Sequence, residues 1–294
     1  MNPADQIPSI NFANRHNKTF EFEIISNREI LADNLPKDYN PFRPHRLRFY
    51  ALLFILKGEG THYVDFKSYQ YHPGSVIFIS KEQVHAFEKN MDREAYFLLF
   101  TRNFLERSSI ASNLMQQLSL YNYHLYPPVL ELEGLQLQLF TELVMRIKEE
   151  YHAPDDQFTE EIIQSSLKIL LCIAERIRKL NCKINPLSRY QDEFLEFQRL
   201  LDEHILESRM VQFYAEKMSV STKKLNRIVQ EIMNQTAKAY INEMLIIEMK
   251  RLLMNTNFSI KEIAYKTGFE DPTNFVKYFK KATTQTPIEF RKRF

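Results

Sequence analysis

Tryptophan is absent from this chain, so no indole platform is available to any binding surface. Cysteine is scarce. The two present, Cys172 and Cys182, fall on or just after a predicted helix; they are too few for a disulfide framework and read as reduced thiols. No apolar run approaches the ~18 uncharged residues that a membrane-spanning helix needs. The opening stretch MNPADQIPSINFANRHNK lacks the apolar core of a secretion signal, and there is no low-complexity tract. These absences predict a soluble, cytoplasmic protein with no membrane partner. What remains is a chain of 294 residues with 44% hydrophobic side chains, enough to build two cored domains.

The last 87 residues carry one pattern twice, about fifty residues apart. The first copy runs Ala215, Ser219, Ser221, Leu225, Arg227, Val229, Ala237, Tyr240. The second runs Ala264, Gly268, Asp271, Phe275, Lys277, Phe279, Pro287, Phe290. Each copy reads as a helix-turn-helix, with the units at about 208–234 and 257–284. Ala215 and Ala264 supply the small residue needed where two helices cross steeply. The turn that follows favours a residue tolerant of positive φ, a demand Gly268 meets well and Ser219 poorly. Ser221 and Asp271 are good N-caps, and Pro272 suits the first helical position. The helices after them, roughly 221–232 and 272–282, turn Leu225/Val229 and Phe275/Phe279 inward at i, i+4 spacing. That leaves Thr222, Lys223, Lys224, Asn226 and Arg227 outward on the first, and Thr273, Asn274, Lys277 and Lys281 on the second. These are side chains that hydrogen-bond base edges and phosphates in a major groove. A helix over 237–254 separates the units; at 1.5 Å per residue it makes a rod of roughly 27 Å, near the ~34 Å of one DNA turn.

Charge follows the same division. Residues 208–294 hold 16 Lys/Arg against 8 Asp/Glu, while the rest of the chain holds 23 against 29. A nearly neutral protein is thus a basic module joined to an acidic one. The basic part has the electrostatic footprint of phosphate binding.

Residues 208–294 resemble the double helix-turn-helix domain of the AraC/XylS family of bacterial transcription regulators. The resemblance is clearest over SIKEIAYKTGFEDPTNFVKYFKKATTQTPIEFRKR (Ser259 to Arg293). The family commonly places Gly-x-Ser/Thr-Pro after each recognition helix; here the glycine positions are Asn234 and Thr284, and the first proline position is Ala237. Asn tolerates the left-handed conformation, whereas Thr284 is awkward there. The resemblance implies that Lys223, Asn226, Arg227, Thr273 and Lys277 face bases, and Ser221, Thr222, Lys224, Asn274 and Lys281 complete the expected DNA surface.

The first hundred residues alternate β-rich runs with turn signals: 48–56, 61–66, 69–71, 75–80, 84–88 and 95–100. Lys57-Gly58-Glu59-Gly60 reads as a tight hairpin and Pro73-Gly74 as another turn. The pattern suggests a small antiparallel barrel or jelly roll. Residues Gly58 to Glu88 resemble the cupin barrel that many AraC-type regulators carry as a sensor. Metal-dependent cupins use a His-x-His pair, a Glu and a later His. Here Leu47 stands where the second His would be, and His62 and His85 have no second ligand near them in sequence. No metal, no cofactor and no enzymatic activity are therefore expected. Period-2 faces place His62 with Val64 and Phe66, His85 with Phe87, and Ala95 with Phe97 and Leu99. Arg43, His45, His62, His85, Phe87 and Phe97 are the expected lining of a small-molecule pocket.

Helical periodicity covers roughly 102–121, 133–151, 158–180 and 192–206. Ile163, Leu167, Leu170, Ala174 and Ile177 form a short a/d seam, and family members commonly dimerise through helices placed here, so a homodimer is expected through that seam. The fold class is α+β in two domains: an N-terminal cupin-like β-barrel with flanking helices (1–182), a linker (183–191), and a C-terminal all-α tandem helix-turn-helix module (192–294). The expected partners are double-stranded DNA, a small-molecule effector, a second copy of the chain and RNA polymerase. Alternatives left open are a ligand-independent regulator whose barrel only dimerises, and a cupin-type enzyme.

Overall fold

The computed structural model describes residues 8–16, 18–31, 42–81, 83–87, 93–107, 114–122, 126–181, 190–256 and 258–293. The chain divides into two compact units, Pro8–Asn181 and Cys182–Phe294. Of the expected linker, residues 183–189 lie outside the described residues, as does Cys182, while Gln191 already opens a helix.

The first unit is built on ten strands: β1 (Ser9–Ile10), β2 (Phe22–Ser26), β3 (His45–Leu47), β4 (Tyr50–Lys57), β5 (Gly60–Val64), β6 (Lys67–Tyr71), β7 (Ser75–Ile79), β8 (Val84–Phe87), β9 (Glu94–Phe100) and β10 (Val129–Glu131). They form two five-stranded sheets, ordered β1-β3-β8-β5-β6 and β10-β7-β4-β9-β2. This is the double-sheet arrangement of a jelly roll. It revises one of the two expected turns and keeps Pro73-Gly74 as a turn. Lys57–Gly60 is no hairpin, because β4 and β5 belong to different sheets; the segment crosses from one sheet to the other, and so does Pro73-Gly74. The tight hairpin is β5–β6, turning at Asp65 and Phe66 with φ of 45° and 67°. Two successive left-handed residues are the signature of a type I′ turn, and Asp-Phe is a poor sequence cue for one.

The second sheet is buried on both faces, which is why Leu52–Ile55 reads as an unbroken apolar run rather than an alternation. Its inner side chains, Ala51, Leu53, Ile55, Ile77, Ile79, Ala95 and Phe97, meet Leu47, Tyr71 and Phe87 of the other sheet in one core. Its outer side chains, Leu52, Phe54, Val76, Phe78, Leu98 and Phe100, pack under helices.

Those helices are α2 (Arg102–Glu106), α3 (Leu114–Gln117), α4 (Gly134–His152) and α5 (Thr159–Asn181), while α1 (Asn27–Leu31) sends Ile30 into the core between the sheets. The single helix expected over 102–121 is replaced by the short α2 and α3. Beyond α3 the chain is captured by Glu175 of α5, whose carboxylate accepts from Ser119 N, Ser119 Oγ and Leu120 N at 2.8, 2.8 and 3.1 Å. The expected dimer seam is also revised. Ile163, Leu167, Leu170, Ala174 and Ile177 are all 4% exposed or less and belong to the chain's own core, against the second sheet and α4. A stripe consumed in that way has no surface left for a partner helix. The outward face of α5 carries Ile162, Ile169 and Leu180 instead. Among the described residues no helix is long and apolar enough to cross a membrane.

The second unit is all-helical: α6 (Gln191–His204), α7 (Val211–Lys217), α8 (Thr222–Met233), α9 (Ala237–Asn255), α10 (Ile260–Lys266), α11 (Pro272–Thr283) and α12 (Pro287–Arg293). The two copies of the sequence pattern are buried in register. Ala215/Ala264, Leu225/Phe275, Val229/Phe279, Ala237/Pro287 and Tyr240/Phe290 all point into the core.

Candidate DNA interface and effector chamber

Each helix-turn-helix is held by the same two devices. In the turn, Ser219 and Gly268 adopt φ of 54° and 77°; after the recognition helix, Asn234 and Thr284 adopt 52° and 66°. Four left-handed residues thus sit at matching places, and Thr284, a β-branched residue, bears the largest steric cost. At the helix starts, Ser221 Oγ accepts from Lys224 N at 3.1 Å, and Asp271 Oδ1 accepts from Thr273 N at 2.8 Å with Pro272 at the first position. Ser221 is therefore occupied as a cap.

The rest of the expected DNA surface sorts into two groups. Thr222, Lys223, Lys224, Arg227, Thr273, Asn274, Lys277 and Lys281 are exposed. Asn226 is half-buried and bonded within the protein: its Nδ2 donates to Thr222 O and its Oδ1 accepts from Ala237 N, both at 3.0 Å. It ties α8 to the start of α9, a role its sequence position did not reveal. Lys224 pairs with Glu193 of α6 at 3.5 Å, and the Arg227 guanidinium lies 5.9 Å from the Tyr190 ring. Asn274 lines a cleft of about 530 Å³ with Arg209, Gly268, Phe269, Asp271 and Tyr278. In that cleft Arg209, which precedes α7, lies over the Phe269 ring at 4.4 Å, joining the entry of the first helix-turn-helix to the turn of the second.

Five of the six expected pocket residues converge between the two sheets. Strand pairing aligns His45 with His85, His85 with Val64, and His62 with Phe87. The His45 and His85 rings are 4.0 Å apart, His62 and His85 5.3 Å, His62 and Phe87 4.6 Å, and Phe87 and Phe97 5.5 Å. The histidines separated along the chain are thus neighbours in the fold. Arg43 is exposed and contributes only its carbonyl, to which His45 Nδ1 donates at 3.0 Å. That bond fixes the proton on Nδ1. Burial holds all three imidazoles neutral: His45 is pushed down to about 4, and His62 and His85 fall well below their ordinary range, with Arg93 adding to the effect on His62.

Arg93, Tyr71 and Asn27 were missed. Arg93 is buried, with Nε donating to Asn27 Oδ1 and Nη1 to Tyr71 Oη, each at 3.2 Å. Its signal was available: extending the period-2 face of Ala95 and Phe97 back by one step reaches residue 93. Among the described residues no group of three or more His, Cys, Asp or Glu is arranged to hold a metal ion.

Two recognition helices with exposed cations on a basic module, and a second domain with a buried polar cluster between its sheets, fit a DNA-binding regulator with a ligand-binding domain. Comparison with known proteins gives the family. The "Helix-turn-helix domain" model matches residues 214–293, and the "AraC-like ligand binding domain" model matches residues 36–167. The chain belongs to the AraC family of DNA-binding transcription regulators. It is 25% identical over 259 residues to the HTH-type transcriptional activator RhaS of Enterobacter sp. (strain 638), covering 85% of this chain and 87% of that protein. Among solved structures it is similar to unsaturated fatty acid-bound ToxT from Vibrio cholerae (17% identity, 94% of this chain and 96% of that one, TM-score 0.44). The C-terminal domain of the response regulator yesN from Fusobacterium nucleatum is 25% identical and covers 34% of this chain and 99% of its own, with a TM-score of 0.33.

Proposed function

We propose that α8 and α11 enter successive major-groove faces of one operator, and that a small molecule held between the two sheets alters operator affinity. The observation that carries the reading is the in-register duplication, with exposed Lys223, Arg227, Thr273 and Lys277 on the two recognition helices. Arg227 and Lys277 are the base readers; Lys224 and Lys281 hold phosphate. Ser221 and Asn226 act from behind, as cap and tie. A second copy of the chain is the expected partner, through the outward face of α5 rather than its buried seam, and RNA polymerase a further one. The cytoplasm is the expected location.

The test is selection of bound sequences from a random DNA pool by the full-length protein. A two-part site with one centre per recognition helix is the expected product, and Arg227→Ala should relax one part while Lys277→Ala relaxes the other. Binding should weaken steeply with salt as counterions leave the phosphates. Enrichment of nothing, or affinity independent of salt, would overturn the reading.

A further inference from the structure

A buried positive charge with no carboxylate paired to it among the described residues is the most costly feature of this cluster. Arg93 is 7% exposed. Two of its nitrogens are bonded to Asn27 and Tyr71, but Nη2 is buried and meets no acceptor among the described residues. The guanidinium lies over the Phe87 ring at 4.2 Å, with Tyr71 and Phe97 at 5.6 and 5.9 Å. No Asp or Glu among the described residues pairs with it. His62 and His85 also lie against Phe87, with ring centroids at 4.6 and 5.7 Å, and none of their four ring nitrogens has a hydrogen-bond partner among the described residues. A neutral imidazole offers one donor and one acceptor, so the cluster presents a cationic fork end and two further N–H groups with no acceptor among the described residues. Buried charge and buried donors left unpaired are expensive, and proteins keep such groups where a ligand completes them.

Three occupants can be weighed. A divalent metal on the histidines would sit near the guanidinium in a low-dielectric interior, where like charges repel strongly, and His45 Nδ1 already serves the Arg43 carbonyl. A neutral ligand would satisfy donors but leave the charge uncompensated. An anion does both. A carboxylate suits the planar guanidinium edge, and the rings of His45, His62, His85 and Phe87 are already in contact at centroid spacings of 4.0 to 5.7 Å, so a long chain finds no space among them. We propose that the effector is a short-chain carboxylate, with one oxygen on Nη2 of Arg93 and the N–H groups of His62 and His85 as further donors. The inference rests on the effector reading above and names the ligand's chemistry.

The test titrates full-length protein by calorimetry with acetate, propionate and butyrate, and with the three matching amides, at constant ionic strength, with operator affinity read in parallel. At least one acid should bind about 10- to 100-fold more tightly than its amide, the worth of a charge-assisted hydrogen bond. Arg93→Met should abolish that preference. Arg93→Lys, which keeps the charge, should retain a weaker one, and keeps the test readable if the Met variant does not fold. Equal affinity for acid and amide, an acid preference that survives Arg93→Met, or no binding by any acid overturns the proposal. So does stoichiometric Zn²⁺ binding that His62→Ala removes. The two readings fail separately. Carboxylate binding that leaves operator affinity unchanged retires the effector role but keeps the anion site, whereas a neutral ligand that alone shifts operator affinity does the reverse.

Discussion

The two recognition helices occupy equivalent places in a repeated unit, yet they are held differently. On α8, Asn226 is bonded into the start of α9, Lys224 is paired with Glu193, and Arg227 lies near Tyr190. On α11 the side chains of Thr273, Lys277 and Lys281 make no hydrogen bond or ion pair among the described residues, and the counterpart of Asn226 is Val276. The first helix is braced by α6, the helix that opens the DNA module; the second is an open face. Duplication preserved the apolar skeleton and let the polar surface diverge. A braced reader has less conformational freedom to lose on binding, and a free one keeps its full charge for phosphate.

The largest expected effect tests the shared skeleton. Leu225→Ala and Phe275→Ala, both at fully buried positions, should each cost about 3–5 kcal/mol in chemical denaturation; a much smaller loss in either would break the equivalence of the two cores. The next contrast is between the two structural units. The second has a single, half-buried histidine, His204, whereas the first buries three. His45 has a folded pKa of about 4 against an ordinary 6.5. Its contribution is full above pH 6.5 and is lost as pH falls from there toward 4, because the unfolded chain takes up a proton that the folded chain refuses. For His45 alone this amounts to roughly 3 kcal/mol. Calorimetry should show the first unit's transition falling with acid while the second's holds, and His45→Gln should flatten the difference.

Base reading comes third. Arg227→Ala and Lys277→Ala should each cost about 1–3 kcal/mol at the selected operator, measured as binding at fixed salt. Lys281→Ala should weaken binding to all sequences alike and lower the salt slope by about one, with Lys224→Ala doing less because Glu193 already holds its charge. Asn226→Ala should destabilise the module by about 1–2 kcal/mol by leaving the Ala237 N–H unpaired, a loss with no counterpart at Val276. Smallest is a gain: Thr284→Gly relieves a left-handed β-branched residue and should add about 1 kcal/mol, whereas Asn234→Gly should add less.

Much of the helical unit was legible because each cue there is local. The caps Ser221 and Asp271, the turn at Gly268 and the inward Leu225/Val229 and Phe275/Phe279 pairs are all specified within one or two helical turns. The sandwich was harder, because strand partners are set by residues far apart. Lys57–Gly60 has the composition of a hairpin yet crosses between sheets, while Asp65-Phe66 makes the real one. His45, His62 and His85 looked unrelated until β3, β5 and β8 aligned them. The α5 seam failed for a different reason. Ile163, Leu167, Leu170, Ala174 and Ile177 do form an apolar stripe, but periodicity says only that a face is covered, not by which chain. Arg93 escaped because a charge next to a strand reads as its solvent end.

The contact of Arg209 with Phe269 bears on what the module can measure. With α9 it joins the two helix-turn-helix units at a second point, so their separation behaves as a calliper setting rather than a tether length. One extra turn in α9 would open that setting by about 5.4 Å, the rise of between one and two base pairs. The operator of such a variant would have to lengthen to match, and the spacing between its half-sites is therefore written in the protein as a length of helix.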